Sequence, residues 1–503
     1  MNHSSAPSSA TQTEEWSAEF VLTRPGHDAP LFNQRITTRD GRLCALQPEI
    51  LPQQGAGRVA IPAFANAHDH GRGVPTLSAG IPDGPLELWL SRLGVEPRMQ
   101  AYLNAACAFA NMAEAGIGAV VHCHNTQNGR ALLEEAEGVA AAARDVGIRV
   151  AFAVPFAGEN PFVYGDNAAL GGYMPDLSRY PQLSAPRHKR SLAEGLAITD
   201  ALTHLESPTF TVQYGPVGPQ WTNRETLETL SALSASIGRR VHMHFFETRL
   251  QREWADAQFP EGLIPWLDKI GLLSPRLTLA HCCWLREHEL ELLAQRGVLI
   301  ACNTSSNFRL SSGLPPIAGV LRHAITFGVG LDGMSLEDDH DILRETRLLR
   351  GVAQALDAGI DGVADKGMLL THCCDALLRG GREAVLGPDS GGTLLEGAPA
   401  DFVIARTDRI MRHTVPDAAL PDLLLTRLTR QDIDTLVVNG KTIVKNGQCI
   451  TVSKPDLERT LNDLIKAALD KNHGTSPVDP EWENGLRRYY RAGEHRKAGI
   501  THV

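Results

Sequence analysis

Short apolar runs alternate with longer amphipathic stretches along most of the chain. Between about Val59 and Gly392 the runs read VAIPAFANAH, GAVVHCHN, RVAFAVPF, FTVQYGP, RVHMHFF, LTLAHCC, GVLIACN and ITFGVGLD. The segments between them are rich in Ala, Leu and Glu at helical spacing, as in GRALLEEAEGVAAAARDVG and RETLETLSALSASIG. Unbroken apolar runs alternating with helical patterns predict parallel strands covered by helices. Eight such strands over residues 59–392 are the number of a closed (β/α)8 TIM-type barrel. In that α/β fold the chemistry sits at the C-terminal ends of the strands.

The flanks read differently. Residues 16–58 and 393–454 carry short β-like pieces, among them AEFVLTRPGHDAPLF, ADFVIARTDRI and TLVVNGKTIVKNGQ. The Asn-Gly pairs at 439–440 and 446–447 mark tight turns. These pieces predict a small β-sandwich domain built from both termini. Residues 455–503 read as a charged, helical C-terminal extension docked on the barrel or on a partner subunit. Residues 1–15 are polar, lack the basic start and apolar middle of a signal peptide, and read as a flexible tail. The long connection 155–190, rich in Pro, Gly and aromatic residues, is expected to form a lid over the barrel mouth.

Composition narrows the function. With 503 residues, 43% of them hydrophobic, the chain can bury a large core and exceeds a single small domain. A net charge of −10 without a long basic stretch argues against nucleic acid and favours a small-molecule substrate. No run reaches the length of a membrane span. Nine cysteines without C-x-x-C spacing predict reduced thiols and a cytoplasmic setting.

The candidate chemistry begins with three H-x-H pairs, His68/His70, His122/His124 and His242/His244. Nineteen histidines in 503 residues would give about 0.7 such pairs by chance, so three at strand ends ask for a reason. On a strand, residues two apart share a face and can converge on one ion. Imidazole is a ready ligand for Zn²⁺ or Fe²⁺. Glu247 follows His244 by three positions, His281 ends the next strand, and Asp332 ends the last. A carboxylate among strand-end histidines is what a catalytic metal site needs, an anionic ligand that can also take a proton from water. GVGLDG (Gly328, Gly330, Gly333) matches a dinucleotide-binding spacing, but helix rather than a second parallel strand follows it, so that reading is rejected.

Taken together these segments resemble the amidohydrolase superfamily, in its mononuclear branch of cytosine, guanine and S-adenosylhomocysteine deaminases and s-triazine hydrolases. The likeness covers about residues 15–455. It rests on IPAFANAHDH, HFFE, LAHCCWL, CNTSSNFRLSSGLPPI, GLDGMSLEDDHDILRE and GGTLLEGAPADFVI, in that branch's order. The resemblance implies one divalent metal, zinc first and iron as the alternative, held by His68, His70, His244 and Asp332. Glu247 would carry the proton to the ring nitrogen and leaving amine. His281 would position the attacking water, and Asp332 would share in taking its proton. The H-x-x-E spacing selects His244 over His242. His122 and His124 are expected to line the pocket. The branch's Pro-His-Ala-Pro is Pro216-Val217-Gly218-Pro219 here, which counts against an adenosine-type substrate, and the fourth-strand region has no lysine to bridge a second metal.

The implied activity is hydrolytic deamination of a nitrogen heterocycle. A rival uses the same site on a substituted amine, a urea-type C–N bond or a halide, and a remoter one is a metal-free scaffold protein. Trp89, Gln220 and Asn303 are the expected substrate contacts, Glu87 and Asp338 read as solvated or capping charges, and a homo-oligomer is expected.

Overall fold

The computed structural model describes residues 13–126, 129–158, 163–180, 190–356, 366–414, 420–471 and 478–497. The chain opens with strands β1 (Thr13–Val21), β2 (Leu31–Arg39), β3 (Arg42–Pro48) and β4 (Arg58–Pro62). Then come β5 (Phe64–Asp69), β6 (Ile117–Cys123), β7 (Arg149–Phe156), β8 (Phe210–Pro216), β9 (Val241–Phe245), β10 (Leu277–His281), β11 (Leu299–Cys302) and β12 (Phe327–Val329). The chain returns as β13 (Phe402–Arg406), β14 (Ile433–Val438), β15 (Lys441–Lys445) and β16 (Gln448–Cys449).

Strands β5 to β12 form one eight-stranded sheet in sequential order. The pairings are parallel and helices lie between the strands. Burial on both faces is why these strands read as continuous apolar runs. The ends of the sheet meet where Leu331 and Asp332 both donate their N–H to the His68 carbonyl, at 3.1 and 2.9 Å. Each expected barrel run supplies a strand, with one correction. VAIPAFANAH breaks at Ala63, and its first half is β4, paired with β1 and β13 instead. Pro62 has no N–H to give a ladder, and the Ala63 N–H turns to the Asp401 carbonyl at 3.1 Å.

The barrel interior is made of small side chains. Ala65, Ala67, Ala119, Ala151, Ala153, Ala280 and Ala301 pack with Ala384 and Val385 of the helix Gly381–Leu386. That helix touches β5, β6, β7, β11 and β12, and Gln213 Nε2 binds the carbonyls of Ala384 and Val385 at 2.9 and 3.1 Å. Close packing and backbone geometry explain the glycines that imitate a dinucleotide motif. A Cβ on Gly328 would lie 2.7 Å from both Ala67 Cβ and the Gly381 nitrogen. One on Gly330 would overlap Asn303 Oδ1, and Gly333 has φ of +62°.

The remaining strands form a second eight-stranded sheet, ordered β16-β15-β14-β13-β4-β1-β2-β3, from both ends of the chain. The pieces expected to form a sandwich lie in this one hydrogen-bonded sheet. Its own core holds Ala18, Val21, Ile36, Leu43, Phe402 and Val437, with Trp16 edge-on to Phe402 at 5.1 Å. β1 begins at Thr13, inside the stretch expected to be tail; residues 1–12 of that tail lie outside the described residues. The helix Lys454–Lys471 sets Leu461 and Ile465 against Val74 and Cys107, and the helix Pro480–Arg491 returns to the barrel mouth. Among the described residues no helix is long and apolar enough to cross a membrane.

A buried ion cluster joins the two sheets. Asp401 takes both Arg149 Nε (2.7 Å) and Nη2 (3.0 Å), meets Arg382 Nη2 at 2.5 Å, and accepts the Asn439 N–H at 2.6 Å. Burial alone would raise the Asp401 carboxyl, but the two guanidinium groups hold it down at about 2. Removing one partner leaves buried charge uncompensated, so Asp401→Asn is expected to cost about 3–5 kcal/mol at pH 7 in urea denaturation. The folded carboxyl lies below its unfolded value of about 3.9, so this stabilisation is complete above that pH and fades as pH falls towards 2. The gap between wild type and variant should narrow over that window; a gap that does not change between pH 6 and pH 2.5 would contradict the assignment.

Candidate active site

Each side chain at the barrel mouth is delivered for a local reason. β5 shifts register against β6 between Asn66 and Asp69, where His68 and His70 turn to one centre. Asn66 Nδ2 holds Asp69 Oδ2 at 2.9 Å and its Oδ1 accepts the Leu331 N–H at 3.0 Å, fastening β5 to the loop after β12. Asp69 points away from the rings and accepts the N–H groups of Gly71 (2.7 Å) and Gly333 (3.1 Å). β9 presents His244, with His242 behind. His281 ends β10 at φ of +71°, and Asp332, three residues past β12, holds φ of +59°. Non-glycine residues hold left-handed backbone only where their surroundings impose it, and such strain gathers at functional sites.

The imidazoles meet around Asp332. Its Oδ1 lies 3.1 Å from His68 Nε2 and 3.0 Å from His70 Nε2, and His244 Nε2 lies 3.4 Å from His70 Nε2. His281 Nε2 stands 4.0 Å from Asp332 Oδ2 and 3.8 Å from Glu247 Oε2. Donor atoms of His68, His244, His281 and Asp332 all lie within 4.8 Å of one another.

Whether this donor set suits a cation can be read from the outer nitrogens. His70 Nδ1 lies 2.8 Å from the Cys123 carbonyl and His244 Nδ1 2.7 Å from the Val217 carbonyl. A carbonyl only accepts, so each Nδ1 carries the hydrogen, and a neutral ring then turns an Nε2 lone pair inward. His68 Nδ1 is held 2.8 Å from His242 Nε2, which leaves its Nε2 on Asp332, while the buried His281 Nε2 has no hydrogen-bond partner. Inward lone pairs, a carboxylate and an unpartnered nitrogen fit a divalent metal of the nitrogen- and oxygen-binding kind.

Burial sets the protonation. It pushes His68 down to about 4 against the pull of Asp332, and holds His244 and His242 well below the ordinary histidine value. Burial would raise Asp332, yet the His68 and His70 rings beside it keep it well below the carboxylate range. Glu247 goes the other way. Burial lifts its carboxyl to about 7 against the opposing pull of His281, and Ser312 Oγ donates to its Oε1 at 3.1 Å. One carboxyl stays ionised and its neighbour holds a proton near neutrality, the division of labour acid–base chemistry requires.

A cavity of about 200 Å³ opens on this centre, and His70, His244, Glu247, His281 and Asp332 form its floor. Trp89 and Trp221 line it with Leu86, Leu90, Val217 and Leu310. Arg72 joins them, its guanidinium 5.3 Å from the Trp89 ring.

Of the expected substrate contacts only Trp89 is in that wall. Gln220 and Asn303 are buried outside the lining, Asn303 beneath Gly330. His122 and His124 do not line it either. They turn outwards, His122 against Phe109 and Phe152, and His124 Nε2 meets Glu135 Oε2 at 2.9 Å. Glu87 is neither solvated nor a cap but buried, bonded to Thr248 Oγ1 (2.5 Å) and Tyr164 OH (3.1 Å). Asp338 pairs with Arg309 at 2.5 Å. Of the expected lid, Ala157 and Gly158 line the cavity, residues 163–180 pack on the C-terminal helix, and 159–162 and 181–189 lie outside the described residues.

Three residues given no role in the sequence hold Asp332, His281 and Glu247 in place. Ser306 Oγ donates to Asp332 Oδ2 at 2.5 Å, Asn307 Oδ1 pairs with His281 Nδ1 at 3.0 Å, and Ser312 holds Glu247. All three lie in CNTSSNFRLSSG, a stretch of the matching sequence from which only Asn303 was given a role.

Strand-end imidazoles and carboxylates gathered on the C-terminal face of a (β/α)8 barrel are the layout of a metal-dependent hydrolase. The chain belongs to the amidohydrolase family, whose profile matches residues 59–443. It is similar to the 5'-deoxyadenosine deaminase of Methanothermobacter thermautotrophicus, at 27% identity over 82% of this chain and 87% of the relative. It is also similar to the 5-methylthioadenosine/S-adenosylhomocysteine deaminase of Pelotomaculum thermopropionicum, at 26% identity over 89% and 96% of the two chains. The fold is shared with a zinc-bound adenosine deaminase of Xanthomonas campestris (TM-score 0.72, 20% identity, 90% of this chain and 98% of that one). A zinc-bound atrazine chlorohydrolase of Arthrobacter aurescens shares it too (TM-score 0.73, 21% identity, 89% and 98%).

Proposed function

We propose that this chain is a hydrolytic deaminase of an amino-substituted nitrogen heterocycle, working with one divalent metal, zinc in the first instance. The observation that carries the reading is a proton-holding Glu247 placed 3.8 Å from His281 at the edge of an imidazole–carboxylate cluster. The relatives named as adenosine-derivative deaminases support it over most of the chain.

His68, His70, His244 and Asp332 would hold the metal, which supplies a Lewis acid that makes water acidic enough to attack at neutral pH. The substrate ring lies in the cavity against Trp89 and Trp221, whose flat faces and leucine neighbours exclude bulk water. The Asp332 carboxylate takes the proton of the attacking water, and His281, fixed by Asn307, aims the water at the ring carbon. Glu247 Oε2 gives its proton to the ring nitrogen beside that carbon. The amine then leaves as ammonia after receiving the proton that Asp332 took from water, while the hydroxyl proton passes to Glu247 as the carbon keeps the oxygen, which restores both carboxyl groups. Val217 in the cavity wall offers no hydrogen bond, so stacking and apolar contact hold the ring there.

The test is ammonia release by zinc-loaded protein over aminopurines and their 5'-modified nucleosides, aminopyrimidines, pterins and aminotriazines. Ammonia from at least one ring class is the expected result. The apolar wall of Leu86, Leu90, Val217 and Leu310 favours one second reading, loss of an alkylamine, arylamine or halide through the same centre. Release of such a group with no ammonia from any ring would replace deamination by that reading.

A further inference from the structure

Past residue 443, where the family match ends, the chain adds helices that are fastened to three segments around the cavity. Arg92 ends the helix Leu86–Arg92, which carries Leu86, Trp89 and Leu90 of the cavity wall. Its guanidinium pairs with Glu483 at 2.8 Å, both side chains buried. His495 Nε2 meets Glu253 Oε2 at 2.9 Å on the helix Arg249–Gln258, which begins just after Glu247. Tyr490 OH accepts the Tyr164 N–H at 3.3 Å, and the two rings stand edge-on at 5.6 Å.

From Tyr164 a hydrogen-bonded path runs unbroken to Glu247. Tyr164 OH donates to Glu87 Oε1 at 3.1 Å and accepts from Gln251 Nε2 at 3.3 Å. Glu87 Oε1 also accepts from Thr248 Oγ1 at 2.5 Å, and Thr248 Oγ1 accepts the Gln251 N–H at 3.3 Å. Gln251 Oε1 in turn accepts the backbone N–H of Glu247 at 2.8 Å. Two features make the path more than packing. Glu87 is only 8% exposed and has no ion-pair partner among the described residues, an arrangement that costs stability unless something else selects it. Phe246, immediately before Glu247, holds φ of +44°, so the turn that aims the carboxyl is strained and depends on its surroundings to persist.

We propose that Glu87 and Tyr164 are positioning residues for Glu247, held in place by the helix Pro480–Arg491, so that the segment beyond the family match is a working part of the active site. The proposal rests on Glu247 being the proton carrier. A misplacement of an ångström is enough to slow a proton transfer severely while leaving ring binding in the cavity intact.

The test uses the full-length, zinc-loaded protein carrying Tyr164→Phe, Glu87→Gln, Glu87→Leu or Tyr490→Phe. Turnover, KM, metal content, melting temperature and amide exchange of the 245–251 segment are measured for each. Tyr164→Phe is expected to lower kcat about 10-fold with KM within about 2-fold, at full metal content. Glu87→Gln keeps an acceptor for Tyr164 and Thr248 and should restore most of the turnover that Glu87→Leu loses. Tyr490→Phe, remote from substrate, should speed exchange in the 245–251 segment about 10-fold. Unchanged kcat and unchanged exchange in Tyr164→Phe and Glu87→Leu, beside an inactive Glu247→Gln, would overturn the positioning role and leave the proton carrier standing. A fully active Glu247→Gln would overturn the proton carrier itself, while exchange, which needs no substrate, still decides whether the path holds the turn. If Glu87→Leu does not fold, Tyr164→Phe and Tyr490→Phe decide by the same exchange measurement.

Discussion

Glu247→Gln is expected to lower turnover by about 10³-fold without changing metal content. Glutamine has the same shape, still accepts from Ser312 and still fills the cavity floor, so the fold and the metal-binding cluster should be undisturbed. What it cannot do is hold a proton and release it. The wild-type carboxyl can, because burial lifts it to about 7 while His281 opposes the lift. The acid form prevails below that value and is lost above it. Wild-type turnover, where proton donation limits the rate, should therefore fall as pH rises through the carboxyl's titration, and the residual rate of the variant should lack that limb. The measurement is ammonia release from pH 5.5 to 9 on both proteins, with metal quantified in each. A variant within about threefold of wild type at neutral pH would remove Glu247 from proton transfer.

The residues legible in the sequence share a feature. His68, His70, His244, His281 and Asp332 stand where an apolar run stops, and in a parallel barrel that stop is the catalytic face. Spacing within a run says which residues share a face, but not which face. His122 and His124 share one as expected, yet it is the outer one, against Phe109 and Phe152. Strands buried on both sides look alike in sequence, so nothing in GAVVHCHN distinguishes the two. The break at Pro62 was equally local and could have been read, since a proline inside an apolar run argues against one continuous strand. The environment of Glu87 could not. On its own helix it looks like any surface glutamate, and it is buried by Tyr164 from the long loop and by Thr248 after β9. Ser306, Asn307 and Ser312 lie between these extremes: their stretch was recognisable, but their roles depend on how the short helix Thr304–Arg309 crosses under Asp332 and His281.

Asp332→Ala is expected to abolish turnover, by on the order of 10⁴-fold or more, and to lose metal as well. Asp332 Oδ1 is the carboxylate oxygen within about 3 Å of both His68 Nε2 and His70 Nε2, at 3.1 and 3.0 Å. Without it neutral imidazoles alone must balance a dication, and the proton of the attacking water has no acceptor. The two losses can be separated. Chelator-treated wild type should lose activity and recover it with one equivalent of zinc, whereas the variant should not recover at any zinc concentration its binding tolerates. Stability gives a readout that needs no substrate. A metal that binds the folded chain alone raises its melting temperature by mass action, about 2.7 kcal/mol of stabilisation at a hundredfold excess over the dissociation constant. Zinc should produce that rise in wild type and in Glu247→Gln, whose carboxyl lies outside the proposed ligands, and should fail to produce it in Asp332→Ala. If zinc raised the melting temperature of Asp332→Ala as far as that of wild type, the metal would be held elsewhere, and Asp332 would be reduced to a hydrogen-bond acceptor for Ser306 beside the two imidazoles.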